Sequence, residues 1–464
     1  MRFEPYKYQE RAVDWVTSHP RCCLFLDMGL GKSVCTLTAV SRLLDWCEVE
    51  KVLVVAPKKV AETTWTDEAE KWDHLRHLRV VKVVGTERQR VAALGEDADV
   101  YVIGRDSFVW LVAHYEGRLP FDMAVIDELT SFKSPKSRRF KAMKAVSPLF
   151  RRVVGLTGTP APNGLIDLWA QLYCVDLGER LGRFVTRYRE SYFSEHRWNN
   201  IVVRCSPKKG AEEAIRAKLA DICLTMQAKD YLELPPLITH DVRIHLSPSV
   251  SEGYRQFERD RVMEFAEEHS GQPQHLIAQS AAGLMNKLSQ YAAGAVYDDD
   301  KNPVLIHDEK LDRLVELIEQ ANSPVLVFYQ YRHDIPRILD RLKGRKAEEY
   351  KTPDQLRRWN GGDIDVLLAH PASTAFGLNM QHGGHYIVWY GTGWNLELYQ
   401  QANARLHRQG QTKPVIVYRL VCAGTVDERA LKAIDSKAGV QQSLIAGLKE
   451  LSRLYGVSDK LSNC

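Results

Sequence analysis

The sequence predicts an α/β protein built on two doubly wound parallel sheets, and three observations lead there. Short apolar runs alternate with helical patterns in the first half of the chain, as in a parallel sheet with covered faces. The same alternation restarts in the second half without an obvious sequence repeat. Between the halves, Leu232-Glu233-Leu234-Pro235-Pro236-Leu237 carries two prolines that cannot continue a helix and set an extended connector.

Taken in order, Phe3 to Trp15 reads as an aromatic entry followed by an amphipathic helix with Val13 and Val16 inward. Strands follow at Cys22 to Leu26, Lys51 to Ala56, Val80 to Val84, Asp99 to Ile103, Met123 to Ile126 and Arg152 to Leu156. From about Leu165 to Tyr231 the periodicity is helical and the surface charged, with Arg180, Arg183, Arg187, Arg189, Lys208 and Lys209. Past the connector, Val242 to Leu246 alternates as a strand, Ser247-Pro248 starts a helix through Glu267, and a further helical stretch runs to about Ala295. Asp298-Asp299-Asp300, followed by Lys301-Asn302-Pro303, is an exposed turn. The second sheet uses Val325 to Phe328, Val366 to Leu368, Tyr386 to Trp389 and Val415 to Tyr418, and Ala430 to Leu454 closes it with helices. The expected division is therefore 1–231, a linker at 232–237, and 238–464.

Composition narrows the class. At 464 residues the chain exceeds one core, and 45% hydrophobic with 26% charged residues is an ordinary globular balance. The net charge of +4 permits a nucleic-acid partner without demanding one. No apolar run reaches the roughly 18 residues of a membrane span, and the first residues begin no signal peptide, so a cytoplasmic protein without a membrane partner is expected. Nine cysteines without a C-x-x-C pair point to reduced core thiols, and the His74/His77 and His382/His385 pairs lack the further ligands of a metal site.

The polar clusters fall at strand ends, where parallel sheets bind ligands. Leu26-Asp27-Met28-Gly29-Leu30-Gly31-Lys32-Ser33 turns from a strand through glycines into a helix, which presents backbone N–H groups and a positive helix end to one point. As a phosphate cradle it places Lys32 on the β- and γ-phosphates of ATP and the Ser33 hydroxyl on Mg²⁺. Leu26 stands where a Walker A loop has glycine, and a glycine turn capping an ordinary helix is the other reading of this stretch alone. Asp127-Glu128 puts two carboxylates at the end of a buried strand, a costly arrangement unless a cation waits there. Asp127 would hold Mg²⁺ through water and Glu128 would deprotonate the attacking water; the alternative is a pair capping a helix. Gln9 can read a purine edge while an aromatic ring stacks on the base. Lys133, Lys136, Arg138, Arg139, Lys141 and Lys144 form either a solvated helix face or a grip on nucleic-acid phosphates. Arg405 and Arg408, three apart, would project from one helix face toward an anion such as a triphosphate, or else lie on a solvated face.

In order along the chain, Gln9, Met28 to Ser33, Val54-Val55-Ala56-Pro57 with Trp65 and Trp72, Asp127-Glu128, Leu156 to Leu165 with Asp167-Leu168-Trp169, and Tyr399 to Val415 with Gly424-Thr425-Val426-Asp427-Glu428 resemble the motifs of superfamily 2 helicases, and most closely the Swi/Snf-type DNA translocases. The resemblance spans Tyr6 to about Glu428 and implies two RecA-like lobes with ATP between them, helical insertions at about 165–231 and 247–295, and no flanking domains. It implies a monomeric ATPase moving on double-stranded DNA and remodelling DNA-bound proteins, with ATP and Mg²⁺ held by Gln9, Met28, Gly29, Leu30, Gly31, Lys32, Ser33 and Asp127. Glu128 would activate water, and Arg405 and Arg408 would act as arginine fingers. Lys58, Thr159, Asn379 and Trp394 would contact nucleic acid, Trp394 being either that or a core aromatic. Two positions depart from the pattern: Leu129-Thr130 replaces the usual small residue and histidine, which leaves the route from the ATP site to the next motif open, and Thr374-Ala375 replaces Gly-Gly. A strand-separating helicase, and an ATP-clamped nucleic-acid adaptor with little turnover, are the competing expectations.

Overall fold

Continuous apolar runs can satisfy their backbone only by pairing within a covered sheet, and the chain does this twice. The computed structural model describes residues 1–161, 164–198, 201–231, 234–269, 274–374, 378–436 and 440–457. It divides into two units, Met1–Glu233 and Leu234–Cys464.

The first unit contains β1 (Arg21–Leu26), β2 (Val52–Ala56), β3 (Val80–Val83), β4 (Val100–Gly104), β5 (Met123–Asp127), β6 (Arg152–Thr157), an antiparallel hairpin of β7 (Phe193–Trp198) and β8 (Ile201–Pro207), and β9 (Cys223–Met226). Its main sheet runs β3-β4-β2-β5-β6-β1-β9 with every pairing parallel. β2, β4 and β6 are buried along their whole length, which explains their unbroken apolar character. The helix Lys7–Ser18 buries Val13 and Val16 as its periodicity predicts. At the N-terminal edge of the sheet, Arg152 donates to the carbonyls of Val16 and Thr17, and Arg21 to those of Val175, Ser147 and Phe150. Cations thus serve packing at that edge and leave the opposite edge for chemistry.

One expectation for this unit needs correction. The stretch 165–231 is not helical throughout: β7 and β8 form a hairpin, and β9 extends the main sheet beside β1. Tertiary pairing overrode local pattern in both, since β9 is four residues long with burial on alternate positions, too short a repeat to register against its helical flanks. His74 and His77 are structural, their Nε2 atoms bonding Thr38 Oγ1 at 2.9 Å and Ser41 Oγ at 3.1 Å on the helix Lys32–Asp45.

The second unit contains β10 (Leu237–Ile244), a small hairpin of β11 (Ala295–Tyr297) and β12 (Pro303–Leu305), then β13 (Val325–Phe328), β14 (Ala347–Glu349), β15 (Val366–Ala369), β16 (Tyr386–Trp389) and β17 (Val415–Cys422). The parallel sheet runs β10-β17-β16-β13-β15-β14. Here the linker expectation is corrected: Leu237 already pairs with Val415, so strand begins inside the supposed connector. β10 is an exposed edge strand, which removes the apolar face that would have announced it. Leu232 and Glu233 lie outside the described residues. The helices Pro248–Glu268 and Gln274–Ala292 pack against Val440–Leu454 through Val262, Phe265, Met285 and Leu448. Glu258 pins that layer, accepting from Tyr254, Tyr455 and Arg429.

Candidate active site

The crevice at the C-terminal ends of β1, β5 and β6 is built by three turns, each forced by its residue types. After β1 the chain takes left-handed backbone at Gly29 (φ 90°) and Gly31 (φ 80°), which glycine adopts without steric cost, and enters the helix at Lys32. A Cβ on Gly31 would sit 2.8 Å from Nε2 of Gln9, so the amide end of Gln9 lies directly against the loop, while its Oε1 accepts from the Tyr6 N–H at 3.0 Å. Lys32 Nζ donates to the carbonyls of Leu26 at 2.7 Å and Asp27 at 3.3 Å. Gly158 comes so close that a Cβ there would stand 3.5 Å from that ammonium.

β5 delivers the acids. Asp127 lies partly open at its end and accepts from the indole N–H of Trp65 at 3.0 Å. Burial, and then the charge of Glu128, push its carboxyl up to about 6, against the lowering effect of the Trp65 bond and of Lys32. Glu128 is held in left-handed backbone (φ 58°), an uncommon conformation for a residue with a side chain and one that costs about 1 kcal/mol. The turn aims Glu128 Oε1 at two hydroxyls, Thr130 Oγ1 at 2.6 Å and Thr157 Oγ1 at 3.0 Å. Thr157 Oγ1 in turn accepts from the Thr159 N–H at 3.1 Å.

This geometry answers the open question at Leu129-Thr130. The threonine bonds the acid, and the acid itself reaches the Thr157-Gly158-Thr159 turn, so a connection between the two motifs exists without a histidine. Leu129 is fully buried, and its side chain lies where a Cβ on Gly155 would meet it at 2.7 Å, so the larger residue is accommodated by a glycine on β6. Sequence reasoning did not single out Trp65, Thr130 or Thr157 for these roles. The signal available was only that polar residues follow three buried strands.

Of the residues expected to meet nucleic acid, Lys58 is exposed just beyond β2, and Thr159 Oγ1 is buried with no hydrogen-bond partner among the described residues. In the second unit the arginines are not on a helix as their spacing suggested. The helix Leu396–Asn403 ends first, and Arg405 and Arg408 occupy the turns that follow. They converge nonetheless, Nη1 of each donating to the Leu378 carbonyl, at 3.4 Å from Arg405 and 3.1 Å from Arg408. Arg405 is buried and also donates from Nε to the Gln401 carbonyl. Asn379 is exposed beside that carbonyl, and Ala375, Phe376 and Gly377 lie outside the described residues. Trp394 is half-buried, its ring edge close to Gly447.

Comparison with known proteins gives the family. The SNF2-related domain matches residues 8–292. The chain belongs to the SNF2-related family. It is 35% identical to protein p41 of Acyrthosiphon pisum secondary endosymbiont phage 1, over 96% of this chain and 99% of that one. It is 25% identical to an uncharacterized ATP-dependent helicase of Mycoplasma pneumoniae (91% of this chain, 40% of that one) and 24% identical to human SWI/SNF-related matrix-associated actin-dependent regulator of chromatin subfamily A member 1 (94% and 43%). The chain therefore spans less than half the length of these two relatives. Among solved structures, the Sulfolobus solfataricus SWI2/SNF2 ATPase core in complex with dsDNA aligns over 98% of each chain with 21% identity and a TM-score of 0.45. As a member of this family the chain is an ATP hydrolase of helicase superfamily 2, with the two RecA-like parallel-sheet lobes expected of it. No helix among the described residues is long and apolar enough to cross a membrane.

Proposed function

We propose that this SNF2-related ATPase hydrolyses ATP in response to double-stranded DNA, moves along the duplex as a monomer in the cytoplasm, and remodels protein–DNA complexes. The observation that carries the reading is the acid pair of β5 beside Lys32, with Glu128 fixed by two threonine hydroxyls. In this reading the lobes are the two units, Met1–Glu233 and Leu234–Cys464. ATP lies on Gly29, Gly31 and Lys32 with its base toward Gln9, and Met28 and Leu30 shape the loop. The Ser33 hydroxyl and Asp127 carboxylate are hard oxygen donors that suit Mg²⁺, and the raised Asp127 pKa is what a carboxylate shows where its natural counter-ion is a bound cation. Magnesium held there supplies charge neutralisation for the phosphate oxygens.

Glu128 takes the proton of the attacking water, and the bonds from Thr130 and Thr157 hold its carboxylate in one orientation. Arg405 and Arg408 stabilise charge developing on the γ-phosphate. Lys58, Thr159, Asn379 and Trp394 contact the nucleic acid. The bonds that join Glu128 to Thr157, and Thr157 to the Thr159 N–H, tie the acid to the next motif and support turnover over the ATP-clamped adaptor.

The test is ATP turnover titrated with duplex DNA, single-stranded DNA and RNA. Duplex should stimulate strongly and Lys32→Ala should abolish the stimulated rate. DNA-independent turnover, or full activity in Lys32→Ala, would overturn the proposal. Triplex displacement without fork unwinding distinguishes translocation from strand separation.

A further inference from the structure

The helix Leu168–Asp176 lies in the core of the first unit with every residue but Tyr173 buried, and two of its buried side chains, Gln171 and Asp176, end in an amide or an acid. Asp176 is accounted for at the helix end, where it accepts from the Gly178 and Arg180 N–H groups. Packing does not account for Gln171. It is 0% exposed, a burial uncommon for glutamine, and its Oε1 makes no hydrogen bond among the described residues. A buried acceptor left unpaired is destabilising, whereas a leucine or methionine would fill the same space without that penalty. What the amide adds is its donor end. Nε2 donates to the Pro160 carbonyl at 2.8 Å and to the Asp167 carbonyl at 2.9 Å.

Those carbonyls belong to different elements. Pro160 ends the turn 157–160 that follows β6, and Asp167 immediately precedes the helix that carries Gln171. One amide therefore fastens the turn to a helix embedded in the core. At the other end of the turn stands Thr157, whose hydroxyl has both of its directions assigned. It accepts from the Thr159 N–H at 3.1 Å, so its own proton is left for Glu128 Oε1 at 3.0 Å. Thr159 precedes a proline, which biases its backbone toward extended conformations. With the Pro160 carbonyl held, the Thr159 N–H stays on Thr157 and the aim of the Thr157 proton follows. A released Pro160 would let that N–H swing away and free the hydroxyl to rotate.

We propose that Gln171 is a positioning residue for ATP turnover, holding the turn 157–160 so that Thr157 keeps the Glu128 carboxylate in one orientation. This rests on the reading of Glu128 as the base. Gln171 itself meets no reacting atom, so its effect falls on kcat and not on the affinity of the phosphate loop for ATP.

The test begins with Gln171→Met, which keeps the bulk and removes the donors. Duplex-stimulated kcat should fall about fivefold with KM for ATP within about twofold of wild type, and Tm should stay within about 2 °C because the unpaired acceptor disappears as well. Hydrogen exchange of the Thr159 amide should quicken at least about tenfold, a readout that does not depend on activity. Gln171→Leu, shorter and equally without donors, should give the same pattern. The decisive measurement is a double-variant cycle with Thr157→Val: once the threonine hydroxyl is gone, Gln171→Met should lower kcat no further. Additive losses, an unchanged kcat, or a fall in Tm of more than about 5 °C in both Gln171 variants with turnover lost in proportion would assign the residue to packing alone and overturn the proposal. Wild type and Glu128→Gln titrated with duplex alongside separate the two levels. Stimulated turnover that Glu128→Gln abolishes, together with additive losses in the cycle, sinks only the role of Gln171. Wild-type turnover indifferent to duplex or to Glu128→Gln sinks the reading of the site on which that role rests.

Discussion

The acid pair at the end of β5 and the ion-paired acids of the second unit are satisfied in different ways. Asp127 and Glu128 accept hydrogen bonds from an indole N–H and two threonine hydroxyls, neutral donors that fix direction without cancelling charge. Asp427, Glu258, Asp241 and Asp435 accept instead from Lys310, Arg429 and Arg419, so geometry and charge are met together. The first arrangement keeps electrostatic demand available for a ligand, and the second spends its charges holding the fold.

Substitutions can break that contrast. The largest effect should follow Glu128→Gln, which keeps the shape and removes the base: kcat for ATP should fall by about 10³-fold with the fold intact, as measured by steady-state turnover and circular dichroism. Next is Lys310→Met, which leaves Asp427 buried without its cation and should destabilise the second unit by about 3–5 kcal/mol in denaturant unfolding. Adding Asp427→Leu should recover most of that loss, and a double variant as unstable as the single would contradict the charge account.

Asp127→Asn should act in the opposite sense on stability. The folded-state pKa of Asp127, about 6, is above the ordinary 3.8, so the native state binds the proton more tightly and loses stability as pH rises between those values. Removing the charge should therefore stabilise the nucleotide-free protein by about 2 kcal/mol at pH 7, allowing for solvent screening, with no difference below about pH 4. Thermal melts across that range test it, alongside loss of ATP turnover. The smallest effect belongs to Thr130→Val: loss of one hydroxyl from Glu128 should lower kcat about fivefold, near 1 kcal/mol, with ATP affinity unchanged and with recovery in Thr130→Ser.

The central strands and the phosphate loop were legible in the sequence because burial on both faces leaves unbroken apolar runs and because left-handed turns demand glycine. The elements missed are those whose surroundings define them. The first part of β10, ahead of the strand read at Val242, is exposed, β9 is four residues long, and the 193–207 hairpin sits in a charged stretch. The candidate site was legible in its loops and acids, from Lys32 to Glu128, since each is a local pattern. The hydroxyls that orient Glu128 come from positions 2 and 29 residues away, and no local pattern joins Thr157 to it. The arginine pair was found by motif while its backbone was misjudged, because a helix and the turns after it share the same three-residue spacing.

One contact near the end of the first unit has a mechanical consequence. Asp27, the first residue after β1, accepts from the Ala228 N–H at 2.9 Å and donates its own N–H to the Met226 carbonyl, while Tyr231 lies 5.1 Å from the ring of Tyr8, next to Gln9. The last turn of chain before the crossover is thereby latched to the loop and to the helix that would grip the nucleotide. A single amide, that of Ala228, becomes a strain gauge: its hydrogen-exchange rate registers any shift of the phosphate loop at the point where the polypeptide leaves for the other lobe.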